Sequence, residues 1–337
     1  MKRFKLVGGI ALMLILLSGL TGCTGRQAGP PVIRVRYRET VHSIFNAPVY
    51  VAMTQGFFRD QGLDLEISTV QDTDRAMTAL LSNAADISLC SPDPTVYIYK
   101  QGRDNYVINF AAVTGRDGSF LVGRKPEGDF KWEGLKGKTI ICSQPGGMPE
   151  MVLEYALRQH GLQPGKDVTI ITGLQPTATA ASFVNGAGDY AVLPEPAVSL
   201  MESQREGCAI TSLGQDGGEV PCTGLIASKS FVERHPDAVQ RMANGLYMGQ
   251  QWVVSHSPKE IATAIQQFFP DSDLDLLIKV TARYKSQEIW KATPILEYQD
   301  FARMEEIMMQ SGMIDQPVDP AILVNQQFAR AAVAGMK

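Results

Sequence analysis

Hydrophobic and polar positions follow two periods along the chain, and these predict strands and helices in turn. Residues 32–39 (VIRVRYRE) alternate apolar and polar positions, as a half-buried strand does. Pro48 then begins a helix-like segment, PVYVAMTQGFFRDQGL, since proline suits a first helical turn. The strand DLEIST, the Asp-capped helix DTDRAMTALLSN and the strand ADISLC follow. Strands that alternate with helices predict βαβ units and a mostly parallel sheet.

The same order of elements recurs further along the chain. From Lys138 the chain is predicted to form, in order, the strand KTIICS, the loop QPGGM, a helix beginning at Pro149, the strand DVTIITG, the helix-like TATAASFVNG and the strand GDYAVL. Asp86 and Asp189 each precede the third strand of their series. This repetition predicts two α/β lobes of similar plan, with a ligand cleft where the carboxyl ends of their strands face each other.

The predicted lobes span residues 32–122 and 123–221, with connecting strands near 119–125 and 212–222. The remainder, 222–337, is helical in pattern. Its segment SPKEIATAIQQFF has Ser257 as a cap, proline at the first position and Glu260 three residues after the cap, which predicts a capping box.

The N-terminus has the composition of a targeting segment. Basic residues at 2, 3 and 5 precede an apolar stretch at 6–20, which is short for a membrane span. Leu-Thr-Gly-Cys at 20–23 resembles a bacterial lipobox, which implies a signal peptide at 1–22, lipid attachment to Cys23 and a tether at 23–31. A plain secretory signal and an uncleaved anchor are the alternatives.

Composition and motifs narrow the function classes. The chain has 337 residues, a formal net charge of −4 and a pI near 5.7, which argues against a nucleic-acid surface. The cysteines after residue 23 show no CxxC spacing and no clustering with histidines, so no metal site is predicted. No GxSxG, HExxH, GxxxxGK[ST] or GxGxxG motif occurs, so we predict neither an enzyme nor a bound cofactor.

The loop between the first strand and helix of the second series has the properties of a ligand contact. It spans 143–148, and its candidate ligand contacts are Ser143, Gln144, Gly146, Gly147 and Met148. Glycines let the backbone approach a ligand closely, and N–H groups at a helix start favour an oxygen-rich or anionic group. Against this, Glu150 adds a negative charge, and a turn without a ligand is the alternative interpretation.

The equivalent loop of the first series, HSIFNA, offers Ser43 and Asn46 as hydrogen-bonding groups and Phe45 as a ring that stacks on a flat ligand. Helix capping is the alternative role for Asn46.

Two acids occupy matching motifs after the third strands. PDPTV holds Asp93, two residues after Ser91, and PEPAV holds Glu195. If these acids face the cleft they indicate an amine or amidine-like donor on the ligand, and helix capping is again the alternative. Thr114 and Thr223 are weaker ligand candidates.

Several segments resemble the periplasmic-type solute-binding proteins of ABC importers, in the nitrate/sulfonate/taurine subgroup, which shares its fold with fungal thiamine-pyrimidine synthase. They are APVYVAMTQGFFRDQGLDLEI, ALLSNAADISL, LKGKTIICSQPGGMPEMVLEYAL and GDYAVLPEPAVSL. The resemblance covers about residues 32–330. It implies the type II periplasmic-binding-protein fold, with C-terminal helices packing mainly on lobe 1. It also implies that 43–46 and 143–148 contact the ligand.

The resemblance implies an exported, lipid-anchored monomer on the outer face of the cell membrane that delivers a small organic solute to an ABC permease. The candidate loops hold no basic residue that would clamp nitrate or a sulfonate, so a thiamine-precursor-like pyrimidine stays open beside an anion. A ligand-presenting sensory module and a pyrimidine-synthase-like enzyme are the alternatives. The cysteine-rich iron-site motif of the fungal enzymes is absent from the sequence.

Overall fold

Ten strands form two mixed sheets of five strands each in the computed structural model, which describes residues 31–70, 72–142, 145–174 and 176–336. The predicted signal peptide and Cys23 lie outside the described residues. The strands are β1 (Ile33–Glu39), β2 (Leu63–Thr69), β3 (Ile87–Cys90), β4 (Val107–Ala112), β5 (Ser119–Gly123), β6 (Thr139–Ile141), β7 (Thr169–Ile171), β8 (Tyr190–Pro194), β9 (Cys208–Ser212) and β10 (Gly224–Ser228).

Helices surround the two sheets, and in the described part of the chain none is long and apolar enough to cross a membrane. They are α1 (Ala47–Thr54), α2 (Phe57–Asp60), α3 (Thr73–Leu81), α4 (Pro94–Lys100), α5 (Met148–Gln159), α6 (Pro176–Val184), α7 (Ala197–Gln204), α8 (Leu213–Asp216), α9 (Lys229–Arg234), α10 (Pro236–Ser255), α11 (Pro258–Ile265), α12 (Leu274–Ser286), α13 (Tyr298–Gln310), α14 (Pro320–Leu323) and α15 (Gln327–Gly335). Three 3-10 helices occupy Ile44–Asn46, Trp132–Leu135 and Gln266–Phe268.

The two sheets have the same topology, which confirms the predicted duplication. Their strand orders are β2-β1-β3-β10-β4 and β7-β6-β8-β5-β9. In each sheet the first strand of the series pairs in parallel with the second and the third. One strand in each sheet, β10 or β5, runs antiparallel to its neighbours. The chain is therefore an α/β protein with two equivalent lobes.

The repeated acids have the same structural role in both lobes. Asp86 Oδ2 accepts a hydrogen bond of 2.8 Å from the backbone N–H of Arg36 at β1. Asp189 Oδ2 accepts one of 2.8 Å from the backbone N–H of Thr139 at β6. Each acid therefore joins the start of its third strand to the first strand, which explains why it recurs in the sequence.

Local signals in the sequence explain most helix boundaries. Asp72 accepts a hydrogen bond from the backbone N–H of Arg75 at 2.7 Å, as the predicted cap of α3. The capping box of Ser257 and Glu260 is present at α11. The single helix predicted from Pro48 is instead two, α1 and α2. Gly56 separates them with a φ of +80°, a left-handed conformation that glycine adopts without strain.

Two crossovers join the sheets, at residues 113–118 and 213–223. Because β5 is hydrogen-bonded to β8 and β9, the second sheet begins at Ser119, a few residues before the lobe boundary at 122/123 suggested by the sequence. A third segment lies beside the crossovers. Thr114 forms an antiparallel bridge with Trp290, and the backbone N–H of Lys291 donates to Val113 O at 3.0 Å.

The C-terminal helices divide between the lobes. α10 packs on α1, α2 and α15, and α11 packs on α1, so these helices lie on lobe 1 as expected. α12 contacts α7, and α13 contacts α5, so this pair of helices reaches lobe 2 as well. One hydrophobic cluster accordingly combines residues of α5 and α13 with Val96 of α4.

Candidate functional site

The loops at the carboxyl ends of the parallel strands form the candidate cleft. In lobe 1 these are the segments after β1 and β3, and in lobe 2 they are the segments after β6 and β8. Ligands of open α/β sheets bind at this edge. The sequence-predicted residues of this edge differ, however, in what their side chains contact.

Phe45 is the member of the lobe 1 loop that lies against the crossover. A Cβ placed on Gly118 would come within 2.5 Å of the Phe45 ring, so the ring lies directly over this glycine. The ring also meets Tyr284 edge to face, with centroids 5.7 Å apart. The indole N–H of Trp290 donates to the Phe45 carbonyl oxygen at 2.9 Å. This network holds Phe45 between lobe 1 and the connection to lobe 2.

The two polar residues of the same loop contact their own backbone. The hydroxyl of Ser43 accepts from the Phe45 N–H at 3.2 Å. Asn46 is buried and donates from its amide to Val41 O at 3.1 Å, and it makes no side-chain cap bond to α1. The helix-capping alternative for Asn46 is therefore not what the structure shows.

The lobe 2 loop is partly described. Ser143 and Gln144 lie outside the described residues. Gly146 has a φ of +68°, and its N–H donates to the Glu150 carboxylate instead of remaining free for a ligand. Gly147 precedes α5, and Met148 is its first residue, with its side chain buried in the core. Met148 is thus a core residue, which differs from the expected ligand contact.

Met313 is a neighbour of this loop that sequence reasoning missed. It follows α13, and its side chain is 39% exposed. A Cβ on Gly146 would lie 2.9 Å from Met313 Cε. The methionine therefore covers the glycine of the loop. No local signal distinguishes it from the core methionines of α13, because its position depends on the packing of α13 against α5.

The two matching acids have different environments. Asp93 is half-buried and accepts from the Ser91 hydroxyl, without a side-chain cap bond to α4. Burial raises the pKa of its carboxyl, because a charged form loses hydration there. Ser91 and Asp93 are therefore hydrogen-bonded to each other just after the carboxyl end of β3.

Glu195 is a structural residue, in contrast to its predicted ligand role. It is 2% exposed, and its Oε1 accepts from Arg283 Nη1 at 2.6 Å and from the Ser199 hydroxyl at 2.8 Å. Its Oε2 accepts from the Ser199 N–H at 3.0 Å, in the first turn of α7. Glu195 therefore caps the start of α7, which is the alternative role considered for it. Both oxygens of its carboxylate already accept hydrogen bonds within the protein.

Thr114 and Thr223 tie the two crossovers together. The N–H of Thr223 donates to Thr114 Oγ1 at 2.9 Å, and the two hydroxyl oxygens lie 3.1 Å apart. Thr114 is fully buried. These mutual contacts make the pair part of the connection between lobes, in contrast to the ligand contacts suggested from the sequence.

Asp117 is a second residue that sequence reasoning missed. It lies in the first crossover, is 4% exposed, and accepts from the Ser119 N–H at 2.8 Å through Oδ1. Burial raises the pKa of its carboxyl to about 6. In the sequence it belongs to an Asp-Gly pair, a common turn signal, so its burial in the crossover could not be anticipated.

A separate cavity of about 380 Å³ lies behind the crossovers. Its lining includes Arg116, Gln250 and Trp290, and none of the predicted ligand residues. Among the described residues, no group of three or more His, Cys, Asp or Glu side chains is arranged to hold a metal ion. None of the four described cysteines is in a disulfide bond.

Comparisons with known proteins agree with this geometry. The model of the NMT1-like family matches residues 40–267. The candidate binding protein YtlA of Bacillus subtilis (strain 168) is 38% identical over 326 residues, which cover 97% of this chain and 96% of that protein. The 4-amino-5-hydroxymethyl-2-methylpyrimidine phosphate synthase of Candida albicans (strain WO-1) is 24% identical over 248 residues, which cover 70% and 71% of the two chains.

A solved structure shows the same fold. The periplasmic nitrate-binding protein NrtA from Synechocystis PCC 6803 superposes with a TM-score of 0.73 at 16% identity, covering 92% of this chain and 90% of that chain. Similarity at this level of identity concerns the two-lobed architecture alone. The family match extends over most of the chain, and the resemblance to YtlA over nearly all of it. The chain therefore belongs to the NMT1-like family.

Proposed function

We propose that the chain is an extracytoplasmic solute-binding protein of an ABC importer, which captures a small organic solute by closing its two lobes. The observation that carries this proposal is the pair of equivalent sheets, whose cleft-edge loops face a connection made of two paired crossovers. Short connections between two rigid lobes permit hinge closure around a ligand. The full-length similarity to a protein named as a candidate binding protein supports the same role.

The solute is proposed to be either a sulfonate- or nitrate-type anion or a thiamine-precursor-like pyrimidine. The resemblance of the sequence to nitrate-, sulfonate- and taurine-binding proteins supports the first class. The similarity to a pyrimidine phosphate synthase supports the second. In both cases Phe45 and the loop that includes Gly146 contribute to the cleft from opposite lobes.

Ligand capture is expected to stabilise the mature chain and to compact it. Thermal unfolding is measured with taurine, ethanesulfonate, nitrate and 4-amino-5-hydroxymethyl-2-methylpyrimidine, and then with a broad solute library. A solute at 100 times its Kd raises stability by about 2.7 kcal/mol. Small-angle scattering of the stabilised complex should show a smaller radius of gyration. A complete lack of stabilisation across the library would contradict the proposed function.

Gly118→Ala tests whether the captured solute occupies this cleft. Its new Cβ meets the Phe45 ring at 2.5 Å and displaces it, which should weaken solute binding by about tenfold. Gly128→Ala is the matched control, since nothing lies within 4 Å of a Cβ there. Equal affinities of the two variants would place the solute elsewhere.

Lipid anchoring through Cys23 is a further part of the proposal and rests on the lipobox-like sequence at 20–23. Cys23→Ala is expected to move the protein from the membrane fraction of cells to the soluble fraction. The purified variant should have the same thermal midpoint as the parent. Retention of the variant in the membrane fraction would indicate an uncleaved anchor instead.

The similarity to the Candida synthase favours one second candidate, a pyrimidine-forming enzyme. Incubation of the purified chain with iron and pyridoxal phosphate, followed by detection of a pyrimidine product, tests it. Solute uptake measured after disruption of the gene distinguishes the importer component from a sensory module. Uptake should be lost if the chain serves an importer and should persist if it serves only a sensor.

A further inference from the structure

Both crossovers and the third segment beside them contribute to the wall of the cavity of about 380 Å³. Gly115, from the first crossover, is hydrogen-bonded to both of the other segments. Its N–H donates to Ile289 O at 2.9 Å, and its carbonyl oxygen accepts from the Val220 N–H at 2.8 Å. The cavity is therefore built from the connections between the lobes, and not from the loops at the carboxyl ends of the strands.

The cavity combines an apolar wall with a small number of polar groups, as small-molecule sites do. Val253 and Val254 of α10 and Ala292 of the third segment are apolar members of its lining. Trp290 adds an aromatic side chain, whose indole N–H is already used in the bond to Phe45 O. The volume of about 380 Å³ is typical of ligand pockets. These features admit a small molecule with an apolar or aromatic body.

Arg116 is the basic group of this lining with the weakest partners. Its side chain is 18% exposed, and in the described part of the chain its one side-chain hydrogen bond runs from Nη1 to Gly214 O at 3.3 Å. Nη2 lies 3.8 Å from Glu219 Oε1 and 4.0 Å from Glu288 Oε2, which is beyond hydrogen-bond distance. Both acids have mostly exposed side chains, so water weakens these ion pairs. Since a guanidinium has five N–H donors, most of them remain available to a ligand.

The two lysines of the lining are already engaged. The ammonium of Lys285 donates to three backbone carbonyl oxygens at the C-terminal end of α10. Lys291 Nζ lies 3.0 Å from Oδ2 of the buried Asp300. Gln250 lines the same cavity, and its buried side-chain oxygen has no hydrogen-bond partner in the described part of the chain. The lining thus has unused polar groups on Arg116 and Gln250, which favour a polar occupant.

We infer that this cavity is a second small-molecule site, which takes a small organic carboxylate with its charged group on Arg116. The planar guanidinium fork matches a carboxylate and donates two parallel hydrogen bonds to it. Glu219 and Glu288 do not hold the guanidinium by hydrogen bonds, so the ligand displaces only long contacts. Its apolar body lies among Trp290 and the valines of α10. The site is separate from the solute cleft and adds to the proposed function.

Benzoate, benzamide and benzamidine present three charges on one shape. Binding of each probe to the mature chain is measured by calorimetry at pH 7.5, without any other solute. We expect benzoate to bind best, because only its carboxylate accepts two charge-assisted hydrogen bonds from Arg116. Tighter binding of benzamide or benzamidine would overturn the assignment, and so would a lack of benzoate binding.

Arg116→Met should weaken benzoate binding by about tenfold or more, since it removes the donors and keeps an apolar stem. Arg116→Lys should retain part of the affinity, because it keeps the charge without the planar fork. Arg75→Met is the matched control: it removes the same charge from α3, where the side chain is 67% exposed and outside the cavity lining. Unchanged benzoate affinity in Arg116→Met would overturn the site. Thermal midpoints without benzoate identify a loss that comes from unfolding, and the comparison of probes on the parent then decides.

Hydrogen–deuterium exchange locates the bound benzoate. The N–H groups of Gly115 and Val220 donate between the segments that line the cavity, and the N–H of Lys291 donates to Val113 O. Benzoate should therefore slow exchange severalfold in segments 113–118, 213–223 and 287–293 of the parent, and not in Arg116→Met. Protection confined to 43–46 and 145–150 would place benzoate in the solute cleft and overturn the second site.

Failure of the cavity site and failure of the proposed function are distinguishable. Benzoate is added to the ligand-free chain, so its binding at Arg116 requires no solute in the cleft. If benzoate does not bind there, the stabilisation by solutes and the effect of Gly118→Ala are unaffected. If benzoate binds there but no solute in the broad library stabilises the chain, the importer role fails and the cavity site stands.

Discussion

Replacing Arg283 with methionine is expected to lower the free energy of unfolding by about 3–5 kcal/mol, because it leaves a buried carboxylate without its counter-charge. Arg283 Nη1 lies 2.6 Å from Glu195 Oε1, and the Glu195 side chain is 0% exposed. Arg283 Nη2 lies 2.7 Å from Glu202 Oε2. Methionine keeps an apolar stem over the Phe120 ring but supplies no donor. Urea unfolding of the ligand-free chain measures the loss.

Lys279 provides the control for this variant. Its ammonium lies 2.8 Å from the same Glu202 carboxylate, but its side chain is 43% exposed. Exposed ion pairs contribute about 0–1 kcal/mol, so Lys279→Met should have a small effect. The double variant Glu195→Gln with Arg283→Met should recover part of the loss, because it removes the buried charge. Equal losses of unfolding free energy for Arg283→Met and Lys279→Met would show that burial does not determine the contribution of the Arg283–Glu195 pair.

This ion pair also explains why the sequence could not separate Asp93 from Glu195. Both acids stand between two prolines after the third strand of a lobe, so local patterns treat them alike. The difference comes from Arg283, which is 88 positions from Glu195 along the chain and lies on α12. A contact of that separation depends on how the C-terminal helices pack, and no periodicity or capping signal encodes it.

Features that depend on local chemistry were predicted better than this long-range ion pair. Alternating apolar and polar positions predicted β1, an Asp cap predicted the start of α3, and the capping box of Ser257 and Glu260 predicted the start of α11. The repeat of elements predicted two lobes, since Asp86 and Asp189 carry out the same backbone contact in each.

The cleft was predicted less completely, because the contacts of its side chains are made with residues from distant segments of the chain. Gly146 was expected to offer a free N–H, but Glu150 accepts from it. Asp117 resembles a turn residue in the sequence, and its burial arises because its crossover packs closely against Gly214, Phe45 and Tyr284. Positions of backbone elements follow from short-range patterns, whereas the pairing of buried charges requires the assembled fold.

Asp117→Asn is expected to stabilise the ligand-free protein by up to about 3 kcal/mol at pH 7.5 and by almost nothing at pH 4. The folded-state pKa of Asp117 is about 6, above the ordinary value of 3.8. A carboxyl with a raised folded-state pKa contributes its full stability below about pH 4, and that stability is lost as the pH rises to about 6. Asparagine has no charge to bury, and its side-chain oxygen can still accept from the Ser119 N–H.

The measurement is urea unfolding of parent and variant at pH 4 and pH 7.5, without ligand. Asp129→Asn, at a side chain that is 88% exposed, should show no comparable change between the two pH values. If Asp117→Asn instead destabilised the ligand-free chain at pH 7.5, a positive group would have to pair with Asp117 already.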